Sequence, residues 1–443
     1  MILLILPLCL IANDPHVEKV LQECIDNEKT LGLSAIIIEN GKMTFYAMGK
    51  PHAHAALQVT EDTIFDVGSI SKVFTTSLMQ ILIDQKLFCW KDPLQKHLPT
   101  NVKSPEFEGR TIYLEDLAVH TAALPYMPDN CKMTDMQNPA KDYSSALLYE
   151  YLNTAKLKYM PGTKYDYSNL GIGLLGHIME LKCKKPYEEL IKEHISQKLG
   201  MKDTCIVMDL EQKQRFARGH IGKDEVPNWD LPSIEGAGAL RSTIRDLSKF
   251  LSAHMGLVDQ PIVKSFAKTH KVIRAESEHG SQMAAGWHVN PTEKGTIIWH
   301  NGQTGGYHAY MGFIPEKKKG VVLLTNSGAN FDSVGKHLLD SSFPIDEDEE
   351  DIVLDPLILD RYVGTYRHFT GLTCYLWREG DQLMGKLSGH PAVVLYPESQ
   401  TRFFLKVMDV QVQFVLDSDD NIKGMNVFRG DQTFWIRKVT SWW

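Results

Sequence analysis

The 443-residue chain lacks any Cys-x-x-Cys pair, and its seven cysteines (Cys9, Cys24, Cys89, Cys131, Cys183, Cys205 and Cys374) are scattered. An odd, dispersed set argues against a disulfide framework and against a zinc ribbon or finger. Excess positive charge is also lacking. Lys plus Arg is 47 against 55 for Asp plus Glu, a net charge of −8, so nothing in the composition fits a nucleic-acid partner. There is no internal repeat. There is also no apolar run near the roughly 20 residues that a membrane-crossing helix needs. The longest such run, Ile2 to Ala12, suits the hydrophobic region of a secretory signal, although no Lys or Arg precedes it. Residues 1–13 are expected to be a signal segment, giving a periplasmic or secreted protein. If the run is instead a buried strand, the protein is cytoplasmic. Leu6-Pro7-Leu8-Cys9 hints at lipid attachment, but Leu8 is large where a small residue is wanted. His52, His54, His300 and His308 stand in no cluster at ligand spacing, so no metal or other cofactor is expected.

What is present reads as globular. Apolar residues make up 43% and charged residues 23%. The length predicts two domains. Leu33 to Glu39, Asn40-Gly41 and Lys42 to Ala47 read as a hairpin, since Asn-Gly suits a type I′ turn. Ser69 to Leu87 reads as a helix, with Ile70, Val73, Phe74, Leu78, Ile81 and Leu82 at helical spacing. Thr296 to His300, Tyr307 to Pro315 and Gly320 to Thr325 read as sequential antiparallel strands. Asp346 to Asp351 is an unbroken run of six acids, which repels itself and reads as a linker. That run equals six of the eight net negative charges, so the acidic excess marks a boundary. Beyond it, eight short β-type runs at roughly ten-residue spacing predict a small barrel or sandwich. The expected units are 14–344, a linker 345–355, and a β domain 356–443. Asp417 to Asn421 resembles a calcium loop faintly, but Ile422 stands where glycine is needed, so it reads as a hairpin turn.

Ser-x-x-Lys on a helix sets a hydroxyl and an amine one turn apart on one face. The motif occurs three times, at Ser69–Lys72, Ser265–Lys268 and Ser333–Lys336. Ser69 stands out because Phe65-Asp66-Val67-Gly68 leads straight into it. A small residue there allows a sharp turn onto a helix N-terminus, where free N–H groups favour negative charge. The plainer reading of Ser69 is an N-cap. Tyr167-Ser168-Asn169 is the second piece. In an extended stretch its phenol and carboxamide face one way, and a phenol near lysines can act as a general base. A second Tyr-x-Asn, Tyr151–Asn153, lies in a helical-looking stretch. The third piece is His300-Asn301-Gly302, at the end of a strongly β run. A strand edge there can supply oxyanion N–H groups, and Gly302 lets a substrate approach closely.

Ser-x-x-Lys, Tyr-x-Asn and His-x-Gly in this order resemble the three motifs of serine β-lactamases and penicillin-binding proteins. The form nearest to this chain is the class C β-lactamase-related family of serine hydrolases, which includes D,D-carboxypeptidases, D-aminopeptidases and esterases. Leu117 to Pro125, Pro161 to Gly176, Gly236 to Thr243 and His300 to Gly306 each resemble segments of that family. Arg361 to Tyr366 is similar to the start of a lipocalin-like domain appended to many of its members. The resemblance implies an α/β (α+β) sandwich with an antiparallel sheet and a helical subdomain, followed by a small all-β barrel. It implies Ser69 as nucleophile, Lys72 as proton-transfer partner and Tyr167 as base. Asn169 would hold the substrate, and the N–H groups of Ser69 and Gln303 would form the oxyanion hole. The resemblance implies an acyl-enzyme mechanism on small-molecule or peptide substrates, cell-wall material among them. One departure matters: lactamases of this class carry Lys-Thr-Gly where this chain has His300-Asn301-Gly302. A histidine mostly neutral at pH 7 grips a carboxylate less well than lysine. Esterase, amidase or D-amino-acid peptidase activity is therefore favoured over efficient β-lactam hydrolysis. A rival reading is a penicillin-like sensor that stays acylated. Another is the dinucleotide fingerprint Gly171-x-Gly173-x-x-Gly176, with Glu188 at a suggestive distance, but no buried strand precedes it.

Overall fold

Asn40 and Gly41 both have positive φ, 51° and 83°, as a two-residue type I′ turn requires. They join β1 (Gly32–Glu39) to β2 (Lys42–Gly49) in register from Glu39 opposite Lys42 to Gly32 opposite Gly49. The computed structural model describes residues 14–132, 135, 137–274, 281–346, 351–369, 371–429 and 432–439. The apolar run at residues 2–12 and acids 347–350 of the charged run lie outside them. Six later strands complete the sheet: β3 (Val272–Arg274), β4 (Gln282–Ala284), β5 (Trp287–Thr292), β6 (Gly295–Gln303), β7 (His308–Ile314) and β8 (Lys319–Thr325). The order is β2-β1-β8-β7-β6-β5-β4-β3, antiparallel throughout. The three strands expected from the sequence are β6, β7 and β8.

Both faces of this sheet are covered. Leu33, Ala35 and Ile37 of β1 pack with Val17, Val20 and Leu21 of α1 (Pro15–Asp26). Ile36 and Ile38 point into the larger core on the other side. A strand buried on both faces reads as a continuous apolar run, which is how Ala35 to Ile38 reads. The larger core holds α2 (Ser71–Asp84), α3 (Asn169–Cys183) and α4 (Ile244–His254). Every residue of α2 from Ser71 to Leu82 is buried. The helix stops short of the expected Leu87, where Lys86 turns to φ 64°. Its polar side chains are satisfied internally. Thr75 Oγ1 donates to the Gly236 carbonyl at 2.7 Å, and Ser71 Oγ accepts from Leu240 N at 3.1 Å. A buried polar group left without such a partner costs about 1–3 kcal/mol.

The fingerprint glycines lie inside α3, not in a strand–turn–helix loop. A Cβ at Gly173 would stand 2.4 Å from Ile234 Cβ, and one at Gly176 would stand 3.3 Å from Gly236 Cα. Their role is close packing against the segment 234–236. Glu188 is likewise structural, accepting from Ile206 N and Val207 N.

The eight β runs of the C-terminal part form a closed barrel: β9 (Gly364–Arg367), β10 (Thr373–Glu379), β11 (Gln382–Leu387), β12 (Ala392–Pro397), β13 (Arg402–Phe404), β14 (Gln411–Leu416), β15 (Ile422–Arg429) and β16 (Gln432–Val439). Each strand sends at least one apolar side chain into the interior, among them Tyr366, Leu376, Leu383, Leu395, Phe403, Phe414, Met425 and Ile436. Closure removes the exposed edges that an open sheet would present. Asp417–Asn421 is the hairpin turn between β14 and β15, with Asp420 at φ 65°. The acidic run does not stay free over its whole length. Asp351 pairs with Lys406 at 2.7 Å, and Ile352 N donates to the Pro397 carbonyl, so its end is fastened to the barrel.

Gly173→Ala is expected to destabilise by about 1–3 kcal/mol, because the added methyl overpacks a rigid neighbour. Urea unfolding is the check. A glycine kept in an open helix would instead gain about 1 kcal/mol on the same change.

Candidate active site

The site starts from a turn. Gly68 has φ 50°, a conformation glycine takes without penalty. It opens a 3₁₀ turn, Gly68–Ile70, that runs directly into α2. Ser69 sits in that turn and is not an N-cap: neither the turn nor α2 has a side-chain cap bond. Its lead-in is held from two sides. Ile64–Asp66 pairs with Arg241–Thr243, and Val67 N donates to the Leu240 carbonyl at 3.1 Å. Across this ladder Arg241 Nε lies 3.0 Å from Asp66 Oδ1, both side chains buried. Burial pushes the Asp66 carboxyl up to about 6 against the pull of Arg241.

Lys72, one turn on, is the most constrained side chain of the site. It is fully buried. Its Nζ reaches Ser69 Oγ at 2.8 Å, Asn169 Oδ1 at 2.7 Å and the Ala237 carbonyl at 2.7 Å. Burial drives its pKa well below the usual lysine range, because a low-dielectric surrounding disfavours the ammonium.

The sequence motifs converge on this amine. Ser168, not an extended strand, sets the second one. It is the N-cap of α3, its Oγ accepting from Gly171 N at 2.9 Å and donating to the Pro125 carbonyl at 2.7 Å. Asn169 is therefore the first residue of a helix, which corrects the extended reading of Tyr167–Asn169. Both side chains still meet at one place, since the Tyr167 ring centroid lies 4.8 Å from Lys72 Nζ. The amide oxygen of Asn169 is taken by Lys72, which leaves its NH₂ as the group able to meet a substrate.

His300 is the third motif's anchor. It is fully buried in β6, and its ring is 6.4 Å from that of Tyr167. Its Nδ1 bonds the Asn301 carbonyl, and no hydrogen-bond partner among the described residues meets its Nε2. Burial, then the neighbouring His288 and Lys72, hold its pKa well below the usual histidine range. It is a neutral ring. Gly302 permits a close approach, but by the chain itself and not by a substrate. A Cβ there would lie 2.0 Å from the Val67 carbonyl oxygen and 3.0 Å from Ser69 N, and a Cβ at Gly68 would lie 2.7 Å from Gln303 N. Paired glycines thus let the turn that carries Ser69 and the end of β6 that carries Gln303 pack directly against each other.

Two neighbours carried no chemical assignment in the sequence. His120 has φ 58°, stacks on Tyr167 at 4.4 Å and accepts from Ser168 N through Nδ1 at 3.1 Å. Ala237 gives Lys72 a backbone acceptor. Both fall in family-like segments, yet a backbone carbonyl has no residue-type signature. The other motif copies are structural. Ser265 and Lys268 both bond Asp84, Lys336 lies over Trp299, and Asn153 accepts from Lys103 N.

A family model described as Beta-lactamase matches residues 17–340, and one described as a domain of unknown function (DUF3471) matches 349–438. The chain belongs to the beta-lactamase family and is a serine hydrolase of that family. It is 29% identical over 312 residues to the D-alanyl-D-alanine-carboxypeptidase/endopeptidase AmpH of Escherichia coli, covering 67% of this chain and 80% of that one. It is 25% identical over 406 residues to penicillin-binding protein 4* of Bacillus subtilis, covering 83% and 87%. The crystal structure of a class C beta lactamase from Rhodobacter sphaeroides superposes with a TM-score of 0.61 at 22% identity, covering 71% and 94%, a likeness of fold.

Gly302→Ala is expected to force β6 away from Val67 and to slow acylation at this site at least about 10², the effect of losing one oxyanion donor. Labelling rate by a fluorophosphonate is the measurement, with circular dichroism verifying the fold.

Proposed function

We propose that the chain transfers acyl groups through Ser69, acting on esters or on peptides of D-amino acids in preference to β-lactams. The observation that carries this is the contact between the buried Lys72 Nζ and the half-buried Ser69 Oγ at 2.8 Å. Two of the three partners of Lys72, the Asn169 amide oxygen and the Ala237 carbonyl, can only accept. A neutral amine has two N–H bonds and one lone pair. With both N–H bonds so engaged, the lone pair faces the one partner that can donate, the Ser69 hydroxyl. Lys72 is then placed to take that proton as Ser69 attacks.

The resulting oxyanion would be met by Ser69 N–H and Gln303 N–H. Tyr167, over Lys72, would relay the proton to the leaving group and serve as base toward water. The NH₂ of Asn169 would hold the substrate carbonyl. The neutral, desolvated His300 supports the preference against β-lactams, because it offers a hydrogen bond and no positive charge where a lysine would meet a carboxylate. The D-amino-acid peptidase arm draws on the likeness to AmpH. Residues 14–344 would be the catalytic unit, 345–355 the linker and 356–443 the barrel unit, with residues 1–13 directing export. Among the described residues no helix is long and apolar enough to cross a membrane.

The test is intact mass after exposure to an activated ester, a β-lactam or a fluorophosphonate. One adduct is expected on the wild type and none on Ser69→Ala; labelling that survives the substitution sinks the reading. Tyr167→Phe is expected to lower kcat at least about 10², the loss of general acid–base help. Unchanged steady-state rates would remove Tyr167 from the mechanism.

A further inference from the structure

A cavity of about 920 Å³ lies away from Ser69. It opens between the loop 125–131 and the barrel strands β9 and β16. Tyr126, Phe434 and Trp435 give it apolar walls, and Lys158, Arg367, Arg437 and Lys438 give it positive charge against one acid, Asp129. Arg367 and Arg437 are directly opposed partners in the antiparallel ladder of β9 and β16. Both side chains are exposed on the outer face of the barrel. Like charges directly opposite one another destabilise a sheet, and among the described residues no carboxylate pairs with either arginine or with Lys158. Two guanidinium forks side by side match an anion such as a carboxylate, which each can bind bidentately.

The cleft shares a wall with the active site. The Tyr126 carbonyl accepts from Asn169 N and Leu170 N at 3.1 and 3.3 Å, and the Tyr126 ring lies 6.2 Å from that of Tyr167. The barrel is also fastened at the opposite rim of the site. Asn330 Nδ2 donates to Asp409 Oδ2 at 3.0 Å, and the Gly328 carbonyl that accepts from Gln303 Nε2 belongs to a glycine packed beside Met408.

We propose that this cleft is a substrate subsite for an apolar segment ending in a carboxylate, with the Arg367–Arg437 pair as its anion clamp. The proposal rests on the acyl-transfer reading and narrows it: substrates of Ser69 would continue, away from the scissile bond, as a chain of this kind.

The test compares p-nitrophenyl esters of equal length on the full chain: mono-esters of linear dicarboxylic acids, from hexanedioic to dodecanedioic, against the neutral monoacid esters. The wild type is expected to show a KM at least about 10-fold lower for the longer carboxylate-bearing esters, and the preference should shrink with salt. Arg367→Gln/Arg437→Gln should abolish that preference and leave the neutral esters within about two-fold. A wild type without the preference, or a double variant that slows both series alike, overturns the subsite. If no ester is hydrolysed and Ser69 takes no label, the acyl-transfer reading fails separately. The cleft is then tested by calorimetry with dodecanedioate. Saturable binding weakened at least about 10-fold in the double variant supports it; absent or unchanged binding overturns it.

Discussion

Everything in the catalytic half is organised around one amine placed where an ammonium is disfavoured. Lys72 is fully buried, and what makes that tolerable is a set of partners drawn from three separate parts of the chain: the turn before α2, the first residue of α3, and the carbonyl of Ala237. Burying an unpaired charge would cost several kcal/mol. The fold answers by depressing the pKa of the amine and by engaging it with two acceptors, the Asn169 amide oxygen and the Ala237 carbonyl. The buried Asp66–Arg241 pair and the Val67–Leu240 bond then hold the Ser69 turn and the Ala237 segment in one frame.

The second constraint is steric. Gly68 and Gly302 face each other across the site, and each lacks the side-chain atom that would collide with the other's strand. The Ser69 turn and the Gln303 end of β6 pack directly against each other as a result. The neutral His300 beside them makes the pocket less cationic than a lysine would.

The barrel contributes at the margins of this centre. Its closure leaves no sheet edge, so it presents mainly side chains and a few single carbonyls such as that of Pro397. It faces the Tyr126 side of the site across the cleft lined by β9 and β16, and it contacts the Gln303 side through the loop carrying Met408 and Asp409.

Much of this was legible in the amino-acid sequence. Periodicity marked α2, Asn40-Gly41 marked the hairpin, and eight spaced β runs marked the barrel, because each of these follows from local residue preferences. Ser69, Lys72, Tyr167, Asn169, His300 and Gly302 stood out as motifs by type and order. What sequence alone could not decide depends on atoms distant along the chain. That Asn169 begins a helix, that Gly302 makes room for Val67 rather than for a substrate, that Ala237 offers its carbonyl, and that Arg367 faces Arg437 are facts of tertiary packing. A backbone carbonyl, a missing methyl and a cross-strand neighbour have no residue-type signature. Sequence therefore determined which groups are available for chemistry, and the tertiary structure decided their protonation and direction, because both depend on burial and on partners that only folding brings together.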